Sequence, residues 1–183
     1  MILDRVRTLP QADAILARID PAILSEVDGS VGARWMPIEQ VWPINDAIRE
    51  ELDDDAYRAF FREHTLAAID APVFGSFVRA LLNLFDAKPG GLVKHLGRAW
   101  GMAMRGCGDI ESRVIEPGRA EFIMRGLPDE MVRNMGYMVS TEGSLSVLFV
   151  LTKTEGRIIP DPSRRNEGIL RFEIEWTVPG GAD

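Results

Sequence analysis

Residues 100–126, WGMAMRGCGDIESRVIEPGRAEFIMRG, contain the point at which a helical pattern gives way to a strand pattern. Gly106 and Gly108 are expected to end a helix, because glycine readily takes the left-handed backbone conformation that closes a helix. Ala120, Phe122 and Met124 then alternate with mostly charged residues, as in a strand with one buried face. The stretch therefore predicts a helical half before it and a strand-containing half after it.

A tight turn and a second strong strand complete the pattern of the later half. The run 116–119, Glu-Pro-Gly-Arg, places proline second and glycine third in a turn. Charged and polar residues alternate near the end of the chain with five apolar ones: Leu170, Phe172, Ile174, Trp176 and Val178. That alternation is typical of an antiparallel strand with one buried face.

Apolar residues recur at helical spacing through the first hundred positions. They predict helices over 11–19, 21–27, 38–48, 55–68, 72–85 and 92–103, with a break over 86–91. A further long helix is predicted to begin at Pro128-Asp129. Its apolar stripe is Met131, Met135, Met138, Leu145 and Phe149, and position 142 of that stripe holds a glutamate.

These elements predict one α+β domain over residues 1–183, since no linker or internal repeat divides the chain. Several N-terminal helices and one long later helix are expected to pack on a small twisted antiparallel sheet. Within the domain, residues 1–34 form an N-terminal helical extension, 35–108 a helical half and 109–178 a strand-helix-strand half.

Composition excludes several classes of function. The net charge of −7 disfavours nucleic acid as a partner, because phosphate binding needs a concentrated basic surface. The longest apolar run, 145–151, falls short of the roughly 20 residues needed to insert across a membrane. The N-terminus lacks a signal-peptide pattern, and Cys107 is the single cysteine, so we expect a cytoplasmic protein without disulfides.

No catalytic constellation can be assembled from the residue spacings, so we expect a protein that is not an enzyme. His64 and His95 lie on different predicted helices, and neither has a metal-ligating partner four residues away, so no metal or cofactor is expected. Each histidine is interpreted as a core or boundary residue. Cys107 follows a helix C-terminus, where the helix dipole should raise the pKa of its thiol.

The most distinctive candidate site surrounds Glu142. Small residues flank it in an otherwise apolar helix, so a ligand or another helix could approach closely. They are Ser140, Thr141, Gly143, Ser144 and Ser146. Under this hypothesis Glu142→Ala weakens binding of an apolar ligand and leaves the melting temperature nearly unchanged. The alternative is a helix that breaks near Gly143 and leaves Glu142 in solvent.

Three segments in this order carry a family resemblance: LGRAWGMAMRGCG at 96–108, EPGRAEFIMRGLP at 116–128, and RFEIEW at 171–176 after the long helix. Over residues 35–177 the chain resembles the superfamily that includes 4-vinyl reductase-like domains, TRAPP-type trafficking subunits and haem nitric oxide-binding domains. Within it, the chain is most similar to a myxobacterial paralogous group of about this length.

The resemblance implies helices packed on a small twisted sheet, an apolar cavity between them, and a homodimer or another protein partner. It does not imply haem. The Y-x-S-x-R motif that holds the haem propionates in the nitric oxide-binding branch is absent, and His95 lacks the surroundings of that branch's proximal histidine. The cysteines of metal-binding relatives are absent too.

The large apolar residues on elements expected to converge are the candidate lining of such a cavity, with Glu142 as its polar group. They are Phe74, Phe77, Leu81, Trp100, Phe122, Met135 and Met138. Core packing explains each of them equally well. The sequence favours a non-enzymatic cytoplasmic domain that binds a small apolar ligand or acts as a sensor. The alternative is a homodimeric structural or signalling interaction module with a filled core and no ligand.

Overall fold

A computed structural model describes residues 2–30, 36–70, 75–76, 78–80, 82 and 88–178. The first half of the described chain is helical. Its helices are α1 (Ile2–Val6), α2 (Ala12–Ala17), α3 (Pro21–Gly29), α4 (Ile38–Glu51), α5 (Asp54–Asp70), α6 (Pro89–Val93) and α7 (Leu96–Ala103). Residues 75–76, 78–80 and 82 are also helical, and most of the helix predicted over 72–85 lies outside the described residues.

The second half supplies a four-stranded antiparallel sheet, in the order β1-β2-β4-β3. Its strands are β1 (Asp109–Glu116), β2 (Arg119–Arg125), β3 (Gly156–Asp161) and β4 (Ile169–Trp176). Between β2 and β3 run three helices, α8 (Asp129–Arg133), α9 (Met135–Leu145) and α10 (Val147–Thr152), and a 3-10 turn, Arg165–Glu167, precedes β4. The predicted α+β class is confirmed.

The predicted turn at 116–119 joins β1 to β2. Gly118 has a φ of +86°, a conformation that glycine adopts without strain. The backbone there lies against the end of β4, because the Trp176 N–H donates to the Gly118 carbonyl at 2.8 Å. A Cβ at position 118 would lie 2.9 Å from the Trp176 carbonyl oxygen, so the turn requires glycine for space as well as for φ.

The buried apolar residues form two clusters. The sheet core lies between the inner face of the sheet and helices α6 to α10, and it includes Leu92, Val93, Ala120, Phe122, Met124, Met131, Tyr137, Met138, Leu170, Phe172 and Ile174. The helical core joins α1 and α2 to α4 and α5, and it includes Leu3, Val6, Ile15, Ile44, Ile48, Tyr57, Phe60 and Phe61. Helices α5 and α9 lie along the boundary between the two.

The prediction of one long helix from Pro128 is wrong, because three shorter helices occupy that segment. Asn134 has φ −88° and ψ 116°, which is extended backbone, and its side chain accepts a hydrogen bond from the Gly136 N–H at 2.8 Å. Asparagine caps helices well, so the chain restarts there. The second break falls at Ser146, between α9 and α10.

The helix predicted over 92–103 also differs from the structure. It begins earlier, at Pro89, and a turn at Lys94 and His95 divides it into α6 and α7. Gly90 and Gly91 lie inside α6 instead of marking a break, since Pro89 can occupy the first helical turn. None of the described helices has the length and apolar character that crossing a bilayer requires.

Candidate functional site

Three of the predicted lining residues meet in the sheet core. Phe122 and Met138 are 3% and 2% exposed, and Trp100 packs against the same cluster. The Phe122 ring meets the Phe172 ring edge-on, with centroids 6.0 Å apart. The Trp100 indole N–H donates to the Cys107 carbonyl at 3.2 Å, which ties α7 to the loop before β1.

Of the other predicted lining residues, one lies at the surface and three lie outside the described residues. Met135 lies at the surface, 49% exposed, with the Arg165 guanidinium beside its thioether sulfur. Phe74, Phe77 and Leu81 lie outside the described residues.

The small residues around Glu142 face α5. A Cβ at Gly143 would lie 3.0 Å from the Arg58 carbonyl carbon and closer still to its oxygen, so the two helix backbones are nearly in contact there. Glu142 forms an ion pair with Arg58 at 2.8 Å, and its side chain is 16% exposed. The Thr65 hydroxyl donates to the Ser144 hydroxyl at 3.0 Å. The sequence allowed either a ligand or another helix to approach Glu142 closely, and in the structure another helix, α5, does so.

Tyr137 is a residue of the sheet core that the sequence did not single out. It is 6% exposed, and its ring lies against that of Trp42, with centroids 5.9 Å apart and planes tilted by 54°. Burial raises the pKa of its phenol, although the Thr141 hydroxyl beside it has a smaller lowering effect. Tyr137 directly precedes Met138 and so is not part of the apolar stripe. The stripe therefore did not predict that Tyr137 is buried.

Cys107 is buried in the same region. Its thiol donates to the Arg105 carbonyl at 3.4 Å. The pKa of the thiol is raised, as predicted, but the causes are burial and the nearby Glu39 charge instead of the helix dipole. A protonated, enclosed thiol is a poor nucleophile.

The two histidines occupy different places in the fold. His64 lies on α5 beside the helical core, where its ring stacks on Phe60 at 6.2 Å and meets Phe61 edge-on at 6.3 Å. Burial, with the positive charges of the chain's N-terminus and Arg5, lowers the pKa of His64 to about 4. His95 precedes α7. Across the described ranges, no three histidine, cysteine or acidic side chains come together as a metal site.

The outer face of the sheet carries charge. Glu121 is 4% exposed between Arg113 and Arg171, which donate to its two carboxylate oxygens. Burial alone would raise the pKa of Glu121, but these hydrogen bonds and charges lower it below its ordinary value. On the same face, Arg119 pairs with Glu173.

Solved structures of H-NOX proteins, which take their name from haem nitric oxide/oxygen binding, share this fold. The chain aligns with the Fe(II) unliganded H-NOX protein from K. algicida with a TM-score of 0.66 and 8% identity, over 100% of this chain and 98% of that one. For an H-NOX protein from S. oneidensis in the Fe(II)NO ligation state, the TM-score is 0.59 and the identity 13%, over 97% and 98% of the two chains. A mutant structure of T. Tengcongensis H-NOX gives 0.58 and 13%, over 98% and 95%.

No family model and no curated protein matches the chain. At these identities the likeness establishes the fold alone. It agrees with the haem nitric oxide-binding part of the resemblance seen in the sequence. The 4-vinyl reductase-like, TRAPP-type and myxobacterial parts stay predictions.

The described residues do not fit a haem. The inward positions of β2 hold Ala120, Phe122 and Met124, which are 0%, 3% and 0% exposed and already packed. The inward hydroxyl of Ser112 donates to the Val93 carbonyl at 2.7 Å. The paired arginines of the sheet lie on its outer face, so the described residues of the inner face offer no cationic donors for two propionates.

Proposed function

We propose that this chain is a small-molecule sensory domain that binds a neutral, mainly apolar ligand in its sheet core, without haem and without catalysis. The observation that carries the proposal is the match to H-NOX structures over the whole of both chains. One of those structures holds nitric oxide on Fe(II), which is a small ligand bound by a protein of this fold.

The character of the sheet core supports an apolar ligand. Trp100, Phe122 and Met138 supply large, polarizable side chains from three different elements. Methionine adapts to irregular apolar partners, so a core of this kind can admit a small molecule by rearranging side chains instead of backbone. That Phe74, Phe77 and Leu81 also line the site stays a prediction from the sequence.

Glu142 has a different role in this proposal from the one expected from the sequence. Its carboxylate is held by Arg58 between α5 and α9. We therefore place it at the boundary between the two cores, where it fixes the helix that carries Met138.

Native mass spectrometry of the full chain purified from its own host tests the proposed function. We expect a retained small organic molecule that leaves on denaturation, and no haem. The bare protein mass in every preparation would overturn the proposal of a ligand, and a retained haem would overturn the proposal that the ligand is not haem.

The sequence-based expectations of a cytoplasmic location and of a homodimer or protein partner stay predictions. Light scattering on the purified chain checks the dimer. A dimer with no retained molecule would favour the alternative function, an interaction module with a filled core.

A further inference from the structure

One polar atom of the sheet core has no partner. Of the residues that the structure describes, Tyr137 is the one whose hydroxyl is enclosed by protein and yet makes no hydrogen bond. Other buried hydroxyls do have acceptors: those of Ser140 and Thr152 donate to backbone carbonyls at 2.9 and 2.8 Å. A buried hydroxyl has lost its hydrogen bonds to water. Without a partner in the protein that loss is not compensated, so binding of an acceptor beside it is favourable.

The groups around this hydroxyl determine which kind of ligand it can bind. Trp42 lies against the Tyr137 ring, and Cys107 lies near the phenol. The thiol of Cys107 is itself committed to the Arg105 carbonyl. The Thr141 hydroxyl is near enough to influence the phenol, but the two groups do not meet in hydrogen-bonding geometry. The Tyr137 O–H therefore has no acceptor in a place bordered by the Trp42 ring, the Cys107 thiol and the Thr141 hydroxyl.

The nearby Glu39 charge disfavours an anion at this place. Glu39 is the acidic group whose field reaches Cys107. A carboxylate or phosphate placed beside Tyr137 would meet that like charge in a site with little water. A neutral acceptor, such as a ketone or ether oxygen, has no such cost.

We infer that Tyr137 is the polar anchor of the ligand site, and that its hydroxyl donates a hydrogen bond to a neutral carbonyl or ether oxygen on an otherwise apolar ligand. The inference rests on the proposed function and sharpens it. It assigns the polar contact to Tyr137 in place of Glu142, whose carboxylate pairs with Arg58 of α5.

Two probes of nearly the same shape test the anchor. Acetophenone carries a carbonyl oxygen, whereas α-methylstyrene carries a methylene group in its place. Their dissociation constants for the full chain are measured by quenching of tryptophan fluorescence, with Trp42 and Trp100 of the sheet core as reporters. We expect acetophenone to bind about fivefold more tightly, which is the factor that one neutral hydrogen bond supplies.

Two tyrosine variants locate the donor. Tyr137→Phe should abolish the difference between the probes and leave the affinity for α-methylstyrene unchanged. Tyr57→Phe is the matched control, because Tyr57 is a buried tyrosine of the helical core whose hydroxyl already donates to the Asn45 carbonyl at 3.4 Å. It should leave the fivefold difference intact. Thermal unfolding confirms that both variants fold.

The outcomes separate the anchor from the proposed function. Equal binding of both probes to the unmodified chain would overturn the anchor and leave an apolar site standing. A difference that persists in Tyr137→Phe would overturn the anchor too, because another group would then be the donor. Failure of both probes to bind would overturn the site itself.

Discussion

The two sides of α9 are packed in different ways. Towards α5, Gly143 brings two backbones nearly into contact and the Glu142–Arg58 ion pair closes the approach. Towards the sheet, Tyr137 and Met138 fill space with large side chains. Backbone contact fixes a position, whereas side-chain packing can rearrange around a guest. The contrast indicates that α9 is held from the α5 side, and under our proposal it responds to a ligand on the sheet side.

The largest effect is expected from adding one methyl group on the α5 side. Gly143→Ala should lower the free energy of unfolding by about 3 kcal/mol or more, because its Cβ must displace the α5 backbone at Arg58. Denaturant titration measures the change. Gly101→Ala in α7 is the control, since a Cβ there meets nothing within 4 Å and should be neutral or mildly stabilising. Equal effects at both sites would contradict the close approach.

The second-largest effect is expected from creating a cavity on the sheet side of α9. Met138→Ala should cost about 2–3 kcal/mol in unfolding free energy, because it removes a side chain that is 2% exposed. Met135→Ala, on the same helix at a site that is 49% exposed, should cost less than about 0.5 kcal/mol. Binding of acetophenone should weaken in the Met138 variant alone. If Met135→Ala were as harmful as Met138→Ala, the assignment of faces on α9 would be wrong.

The ion pair on the α5 side has a smaller effect. Glu142→Gln should lower the free energy of unfolding by about 2 kcal/mol, between the values for exposed and buried pairs, because Arg58 then keeps only its exposed partner Asp55. The loss should shrink in the Arg58→Met background, which a double-mutant cycle measures. This replaces the expectation from sequence that removing the Glu142 carboxylate spares stability. An unchanged melting temperature would restore that earlier expectation.

The smallest effect concerns the other side of α5, where it meets the helical core. The pKa of His64 is about 4 in the folded chain, below its ordinary value of 6.5, so the unfolded state binds the proton more readily. The stability that His64 contributes is fully present above pH 6.5 and is lost as the pH falls from there towards 4. Between pH 7 and 5 these two pKa values correspond to a loss of about 1.8 kcal/mol. Denaturant titrations across that range should show a flatter profile for His64→Phe, and an identical slope would contradict the burial.

Local patterns in the sequence predicted most of the sheet. The alternation from Leu170 to Trp176 and the glycine of the 116–119 turn each depend on neighbours close in the chain, and both are confirmed. Helix breaks were harder to predict. A capping asparagine at 134 competes with a continuous apolar stripe, and the stripe alone gives no sign of which interaction prevails.

The candidate site could be predicted only in part, because its remaining features are tertiary. Sequence identified Gly143 as a point of close approach, but only the fold shows that Arg58 is what approaches it. Likewise, no local pattern distinguishes Tyr137 from an ordinary core aromatic residue. Its importance comes from Trp42 and Cys107, which lie far away in the chain.

Methyl NMR of the methionines tests the central claim, a ligand in the sheet core, most directly. With the methionine methyl groups carbon-13 labelled, acetophenone is titrated into the full chain, and Met138→Leu and Met135→Leu assign the two signals on α9. We predict that the Met138 signal shifts in a saturable way and that the Met135 signal stays in place. A shift confined to Met135, or no shift at saturating acetophenone, would contradict a binding site in the sheet core.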